Sequence, residues 1–272
     1  MYGAILGDII GSPYEFDGGK PSKDFPLFVD GSHFTDDSVM TIAVADGLMA
    51  VKGGTEQQIQ NGLIESMRKW GRAYPKAGYG GRFFEWLCAS RPSAYNSYGN
   101  GSAMRVSSAG WLYDTLEETR WIARITAAVT HNHPEGIKGA DCVASVIYLA
   151  RTGINKKEIC AFVVQEFGYD ISKTCNEIRP NYEYDVNCQG TVPPAISAFL
   201  EGDSFEDVVR NAMSLGGDCD TLTCIAGSMA EAYYGVPDAL KNECLSRIDS
   251  GMKEVLNRFC SIRKLNTSRQ SC

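Results

Sequence analysis

The sequence predicts an all-α fold, and three observations support this prediction. Apolar residues recur at helical spacing over most of the chain, whereas the alternating pattern of a half-buried strand is nearly absent. The 272 residues suffice to bury one large core. No internal repeat, low-complexity tract or linker divides the chain. We therefore expect one compact multi-helix domain over residues 1–262, followed by a polar, frayed tail over 263–272.

The predicted helices follow one another along the chain, several of them with recognisable caps. The first begins after the hydroxyl of Thr35 and the second after that of Thr55, because a threonine side chain can accept the free N–H groups of a helix start. Further helices are predicted at 83–90, 117–130, 135–151, 156–167, 193–201, 204–214, 220–234 and 237–260, the last interrupted near Ser250. The core helices are rich in Ala and Gly, so they can approach closely and bring their ends to one point.

Four segments lack helical periodicity, namely 16–34, 71–81, 91–107 and 170–192. Loops of this length inside a compact domain are usually functional or disordered. The second and third are rich in Gly, Tyr and Asn, which favours ordered loops that face a ligand.

Composition argues against several classes of protein. The net charge of −7 and the pI near 5.1 disfavour a nucleic-acid backbone as partner, since such a partner requires a basic face. No apolar run reaches the roughly eighteen residues of a membrane span, and the N-terminal segment lacks the basic residues of a signal peptide. The ten cysteines form no CxxC pair and there are only three histidines. We therefore expect reduced, mostly buried thiols in a cytoplasmic protein, and no Cys/His zinc site.

Two segments carry more acidic residues than a helix start requires. The sequence TDDS at 35–38 and the sequence GGDCDT at 216–221 each place one hydroxyl and two carboxylates at the start of a helix of small residues. Capping with solvated acids explains one such side chain but not three. Four carboxylates that met without a cation would repel one another, whereas around cations they would form an all-oxygen shell. The candidate ligands are Thr35, Asp36, Asp37, Asp218, Asp220 and Thr221.

Oxygen ligands favour Mg²⁺, Mn²⁺ or Ca²⁺ over zinc or copper. Four formal negative charges suit two divalent ions better than one. Two such ions, about 3.5–4 Å apart, can orient the vicinal hydroxyls of a substrate and lower the pKa of a bridging water.

The chain resembles the ADP-ribosylglycohydrolase family in three motifs. These are GAILGDIIGSPYE at 3–15, TDDS at 35–38 and GGDCDT at 216–221, in the family's order and spacing. The resemblance implies an all-α domain with two Mg²⁺ (or Mn²⁺) ions at converging helix N-termini. It also implies hydrolysis of an N- or O-glycosidic bond at the ribose anomeric carbon, with release of ADP-ribose from a protein side chain or a small molecule.

The resemblance assigns roles to further residues. The six candidate ligands match the family's metal ligands, and Glu15 and Asp37 are the expected catalytic carboxylates. We interpret Asp8 as a structural, buried or capping acid, and we expect Cys219 to point away from the metals. For the substrate, the loop SYGNGSAMR at 97–105, the turn AGYGGRFFEW at 77–86 and the segment THNHPEG at 130–136 supply the matching residues. These are Gly99, Asn100, Gly101, Ser102, Gly80 and His131.

Other interpretations of these segments stay open. The glycine-rich loops could be tight connections between helices, and a histidine is more often packed or solvated than bound to a ligand. Tyr182 and Tyr184 could stack on adenine or could be core and rim aromatics.

The leaving group and the activity itself also have alternatives. No Asp or Glu occurs from Trp86 to Tyr113, so the 97–105 loop cannot bind a guanidinium, although Glu183 and Asp185 could. We therefore favour an O-linked or small-molecule ADP-ribose substrate. One rival is a catalytically silent ADP-ribose-binding or structural relative of the family, which the intact ligand set disfavours. Another is a two-metal phosphohydrolase that cuts the diphosphate, which the lack of a His-Asp pair disfavours. The sequence does not predict the oligomeric state.

Overall fold

The computed structural model describes residues 1–16 and 22–270, with side chains up to residue 262. Within these ranges the regular structure is helical, and a single isolated bridge pairs Gly99 with Asn187. The all-α prediction is therefore confirmed. The helices are α1 Tyr2–Gly11, α2 Asp36–Ala50, α3 Glu56–Ala73, α4 Gly81–Cys88, α5 Gly101–Met104, α6 Ser107–Leu112, α7 Leu116–Ala128, α8 Pro134–Arg151, α9 Lys156–Phe167, α10 Cys175–Ile178, α11 Cys188–Glu201, α12 Phe205–Met213, α13 Cys219–Tyr234, α14 Asp238–Arg247 and α15 Ser250–Gln270. Short 3₁₀ turns cover Ser12–Tyr14 and Arg179–Asn181.

Helices α1 and α13 pack against each other at very short range in the centre of the molecule. Three glycines at four-residue intervals, Gly3, Gly7 and Gly11, form the contact face of α1. A Cβ atom on Gly7 would lie 2.2 Å from the carbonyl oxygen of Thr223, and one on Gly11 would lie 2.3 Å from the Cα of Asp220. Only glycine permits this approach, which brings the start of α13 to the C-terminal end of α1.

The predicted caps of α2 and α3 are present. The Thr35 hydroxyl accepts the N–H of Asp37, and Thr55 forms a capping box with Gln58. Helix α2 buries residues on all sides, from Asp37 to Leu48. Its first turn is therefore held inside the protein rather than at the surface.

Helix α1 has no counterpart among the predicted helices. Its residues from Gly3 to Gly11 are all buried, so no polar stripe gives the helix an amphipathic pattern. Helices α5, α6 and α10 lie in or at the edge of segments predicted as loops, and they are too short for a periodic pattern.

Helix α11 begins at Cys188, five residues before the start suggested by Pro193. The Asn187 side chain caps it by accepting the N–H of Gly190. Pro194 has no N–H to donate to the carbonyl of Gly190 one turn earlier. The hydroxyl of Tyr182 donates to that oxygen instead, at 3.2 Å.

The C-terminal helices divide where the sequence predicts. Helix α14 ends at Arg247 and α15 begins at Ser250. The predicted frayed tail over 263–272 lies outside the residues whose side chains are described, and it stays a prediction.

The cysteines and the apolar helices can be compared with what the composition predicts. Nine cysteines are described, all of them free, and six of these are buried. In the described part of the chain, no helix combines the length and apolar character needed to cross a bilayer.

We predict that Gly7→Ala lowers the free energy of unfolding by at least about 1 kcal/mol, because the added methyl overlaps the backbone of α13. Alanine normally stabilises a helix relative to glycine, so the sign of the change tests the close approach. Chemical denaturation measures the free energy of unfolding.

Gly81→Ala is the matched control, since a Cβ atom at this first residue of α4 meets nothing within 4 Å. Its effect should stay within about 0.5 kcal/mol. Equal stability of the two variants would contradict the packing of α1 on α13.

Candidate functional site

The starts of α2 and α13 meet in the interior of the molecule. The Thr221 hydroxyl on α13 donates to Oδ2 of Asp37 on α2 at 3.0 Å. Asp37 and Asp220 are 2% and 3% exposed. The two acidic segments, far apart in the sequence, therefore form one site.

A glycine turn directs the first acid of α13 into this site. The backbone φ angles of Gly216 and Gly217 are 76° and 73°, and residues other than glycine rarely adopt such values. A Cβ atom on Gly217 would also lie 2.8 Å from the Tyr182 ring. Asp218 follows the turn, and its side chain makes no capping bond. Capping therefore does not explain Asp218.

Asn100 holds the carboxylate of Asp218 in place. Its amide donates to Oδ2 of Asp218 at 2.6 Å and to the Thr191 hydroxyl at 3.1 Å. The predicted substrate loop thus supports a predicted metal ligand directly.

Asp8 anchors the start of α2 to α1. This fully buried carboxylate accepts the N–H of Thr35 at 2.9 Å, its hydroxyl at 2.7 Å and the N–H of Ser38 at 3.0 Å. The Ser38 hydroxyl donates to it as well. These four bonds account for its burial, as expected for a structural acid. Asp8 nevertheless lies within reach of a cation beside Asp37 and Asp220.

Two groups of carboxylates in the described residues have oxygens close enough to share a metal ion. One consists of Asp8, Asp37 and Asp220, and the other of Glu15, Asp218 and Asp220. In each group, one carboxylate oxygen from each of the three residues lies within 4.8 Å of those of the other two. Asp220 belongs to both groups, so it joins them into one cluster. Asp36 lies outside both groups and lines the same pocket.

Burial is the largest cause of a raised pKa at all six carboxyls, namely Asp8, Glu15, Asp36, Asp37, Asp218 and Asp220. The pKa of Asp36 rises to about 8, mainly through burial and then through the charges of Asp8 and Asp218. The pKa values of Asp37 and Asp220 rise well above the ordinary value, through burial first and then through neighbouring aspartates. Those of Glu15 and Asp218 are also raised, with burial the largest cause.

The residues present fit a hard divalent cation. Oδ1 of Asp37 is buried without a hydrogen-bond partner, although buried polar atoms are rarely left unpaired. Across residues 1–16 and 22–262, none of these carboxylates forms an ion pair with lysine, arginine or histidine. All donors are oxygens, which is the ligand set of Mg²⁺, Mn²⁺ or Ca²⁺.

A pocket of about 670 Å³ opens next to the cluster. Glu15 and the four aspartates of the helix starts line it, together with Thr35 and Thr221. Its lining also contains three cationic side chains and two histidines: Lys76, Arg82, Arg105, His33 and His131. The pocket therefore offers carboxylates for a cation and positive charge for an anionic ligand.

Most of the predicted substrate residues line this pocket. Gly80, Gly99, Asn100, Gly101 and His131 are among them.

Ser102 is not among the lining residues. Its fully buried hydroxyl donates to the carbonyl of Gly136 at 2.7 Å, so its side chain supports the loop rather than facing a ligand. Cys219 is buried, and its thiol donates to the carbonyl of Gly11 at 3.6 Å.

The two tyrosines of the 170–192 segment have different positions. Tyr184 lines the pocket, and its hydroxyl donates to Oε1 of Glu15 at 3.1 Å. Tyr182 packs under the Gly217 turn. Glu183 and Asp185 line a neighbouring groove with Tyr182, and Tyr184 lines both this groove and the pocket.

Arg82 and Arg105 line the pocket and are not among the residues predicted from the sequence. Arg105 closes the motif SYGNGSAMR and is 1% exposed, without a carboxylate partner among the described residues. The signal that could have identified Arg105 in the sequence is its position between a glycine-rich loop and an apolar stretch.

A family model described as ADP-ribosylglycohydrolase matches residues 1–271 of the chain. The chain is similar to the ADP-ribosylhydrolase ARH3 of Mus musculus, with 26% identity over 90% of this chain and 86% of that protein. It is also similar to the ADP-ribosylarginine hydrolase Tri1 of Pseudomonas putida (strain GB-1), with 24% identity over 87% of this chain and 70% of that protein.

Among solved structures, a chain of an ADP-ribosylglycohydrolase-related protein complex has a TM-score of 0.73 at 23% identity, over 96% of this chain and 94% of that one. This likeness supports the all-α fold.

We predict that the protein, freed of divalent cations, loses stability as the pH rises from about 4 to about 8. The pKa of Asp36 is about 8 in the folded protein, whereas an unfolded aspartate has a pKa of about 3.9. Between these values the folded state binds more protons, so the free energy of unfolding falls with increasing pH. In EDTA, the Tm should be lower at about pH 8 than at about pH 5, by roughly 5 °C or more.

A divalent cation should raise the Tm more at the higher pH, because its ligands must be deprotonated. Asp36→Asn is the control, and its Tm in EDTA should depend less on pH. A Tm that rises with pH in the absence of cations would contradict the raised pKa values.

Proposed function

The chain belongs to the ADP-ribosylglycohydrolase family, and on this basis we propose that it is a magnesium-dependent hydrolase that releases ADP-ribose. The bond cleaved is the N- or O-glycosidic bond at ribose C1′ of an ADP-ribosylated protein side chain or small molecule. The observation that carries this proposal is the junction of the two acidic helix starts, with the unpaired Oδ1 of Asp37, at a pocket whose lining also contains cationic side chains.

The proposed cofactors are two Mg²⁺ ions, with Mn²⁺ as a substitute. When bound, such ions would supply Lewis acidity and make water more acidic. The proposed ligands are Thr35, Asp36, Asp37, Asp218, Asp220 and Thr221, to which the cluster adds Asp8 and Glu15 as candidates.

In this proposal Glu15 receives a proton from the attacking water. Its side chain is half-buried and lines the pocket, and the Tyr184 hydroxyl orients it. Its raised pKa brings proton transfer closer to neutral pH, as a general base requires. Asp37, the other predicted catalytic carboxylate, is buried at the base of the site and serves as a ligand. The negative charge of the cluster also stabilises the oxocarbenium-like transition state at C1′.

The rest of the pocket suits the diphosphate and the adenosine. Arg82 and Lys76 provide positive charge. Gly80 precedes α4 without a side-chain cap, so the first N–H groups of that helix are free for an anion. Gly99 and Gly101 allow a ligand to approach the backbone closely.

The lining of the pocket favours an O-linked or small-molecule substrate over ADP-ribosylarginine. Glu183 and Asp185, the acids that could have bound a guanidinium, line a different groove. In the described residues, the pocket's carboxylates are Glu15 and the aspartates of the helix starts, which cations would engage.

We predict that Asp220→Asn lowers turnover at least about a hundredfold, because Asp220 belongs to both carboxylate groups. Purified protein is assayed with Mg²⁺ on ADP-ribosylated serine, ADP-ribosylated arginine and an acetyl ester of ADP-ribose, and the products are separated by chromatography. The serine or acetyl compound should be cleaved fastest, with free ADP-ribose as the product.

Glu183→Gln is the matched control, since this acid lies on a neighbouring loop outside the pocket, and its activity should equal that of the unmodified protein. Full activity of Asp220→Asn would refute the metal assignment. Release of AMP would indicate the phosphohydrolase alternative. An ADP-ribose-induced rise in Tm without cleavage of any substrate would indicate the silent relative.

A further inference from the structure

His131 lies at the end of a buried chain of hydrogen bonds that begins at Arg105. Nη2 of Arg105 lies 2.7 Å from the Thr130 hydroxyl oxygen and 3.1 Å from the carbonyl oxygen of Thr126. The Thr130 hydroxyl oxygen lies 2.7 Å from Nδ1 of His131. Arg105 and Thr130 are 1% and 0% exposed, and His131 is 5% exposed.

The direction of each bond in this chain follows from the chemistry of its groups. A guanidinium has only donors, so Arg105 donates to the Thr130 oxygen. The Thr130 proton then needs an acceptor, and among the described residues Nδ1 of His131 is the one that this hydroxyl contacts. Nδ1 therefore carries no proton, and a neutral imidazole in this arrangement carries its proton on Nε2.

Nε2 faces the pocket across the two glycines of the 97–105 loop. A Cβ atom on Gly99 would lie 3.4 Å from Nε2, and one on Gly101 would lie 3.3 Å from it. The missing side chains leave this edge of the ring uncovered. Within residues 1–16 and 22–262, no hydrogen bond engages Nε2, and His131 lines the pocket.

The surroundings of His131 keep the ring neutral. Its pKa is well below the ordinary value, first because of burial and then because of the charges of Arg105 and Arg82. Tyr95 packs beside the ring, with centroids 5.9 Å apart. No carboxylate hydrogen-bonds to the ring among the described residues, so nothing offsets these effects.

We propose that Arg105 and Thr130 are positioning residues that hold His131 as the neutral Nε2–H tautomer, so that it donates a hydrogen bond to a substrate oxygen. The acceptor is an oxygen of the ADP-ribose group, either on a phosphate or on a ribose hydroxyl. This part of the inference rests on the proposed function, whereas the tautomer itself does not. Arg105 acts through Thr130, and neither residue needs to touch the substrate.

The tautomer can be read directly from the ¹⁵N NMR spectrum of histidine-labelled protein. The chain has only three histidines, and His131→Gln assigns the resonances. His133 is an internal reference, because its Nδ1 accepts the N–H of Glu135 independently of Thr130. We expect His131 to show an unprotonated Nδ1 and a protonated Nε2. A protonated Nδ1, or a charged ring at neutral pH, would overturn the proposal.

Two variants test the role of the hydroxyl. Thr130→Val keeps the shape of the side chain but removes the donor, so His131 should become a mixture of tautomers while His133 does not change. Thr130→Ser retains the hydroxyl and should restore the Nε2–H form. An unchanged His131 tautomer in Thr130→Val would overturn the positioning role. If the valine variant does not fold, the spectrum of the unmodified protein still decides the tautomer.

Ligand binding tests the donor role. Thr130→Val should weaken ADP-ribose affinity about three- to tenfold, the loss expected for one hydrogen bond, and Thr130→Ser should recover it. A shift of the Nε2 resonance with pyrophosphate identifies a phosphate acceptor, and a shift with ribose identifies a hydroxyl. Unchanged affinity in Thr130→Val would overturn the donor role. Failure of the unmodified protein to bind ADP-ribose would overturn both the donor role and the proposed function. The tautomer is tested separately, by the ¹⁵N NMR spectrum.

Discussion

The site depends on the contacts that fix two helices to α1. Asp8, buried in α1, accepts four hydrogen bonds from the start of α2, and the glycine face of α1 lets α13 approach to backbone contact. Both acidic helix starts are therefore positioned by the same helix. The bond from Thr221 to Asp37 joins them once they are in place. This arrangement explains why small residues and acids occur together in the sequence. The small residues let α1 and α13 pack closely, and this packing brings the acids into one cluster.

The buried carboxylates destabilise the folded protein when they are ionised without a bound cation. Burial raises the pKa of these carboxyls, and neighbouring aspartates raise those of Asp36, Asp37 and Asp220 further, so their ionisation at neutral pH is unfavourable without a cation. The buried carboxylates of Asp8 and Asp37 differ in their hydrogen-bond partners. Asp8 is saturated by backbone and hydroxyl donors, whereas Asp37 retains an unpaired buried oxygen. A structural role explains the first, and the free ligand atom of the second is what a bound cation requires.

The acidic residues singled out in the sequence lie together in the structure, and their local positions could be predicted because they follow recognisable helix starts, with Thr35 as a cap and the Gly216-Gly217 turn before Asp218. Their role as metal ligands stays a prediction. Helix α1 could not be predicted by periodicity, because it is buried on all sides and has no polar stripe. The orientation of Ser102 also could not be predicted, since its partner, the carbonyl of Gly136, comes from a different helix. Arg105 was missed for a related reason: its partners Thr126 and Thr130 lie on and just after α7, and local sequence does not show that they meet.

We propose that the starts of α2 and α13 together enclose a pair of divalent cations. Anomalous diffraction from crystals grown with Mn²⁺ tests it most directly, because manganese replaces magnesium at oxygen sites and its position can be located independently of the protein atoms. We expect two anomalous peaks in contact with the Asp36–Asp37 and Asp218–Asp220 segments. A map without a peak between these segments, at a Mn²⁺ concentration that supports activity, would contradict the account.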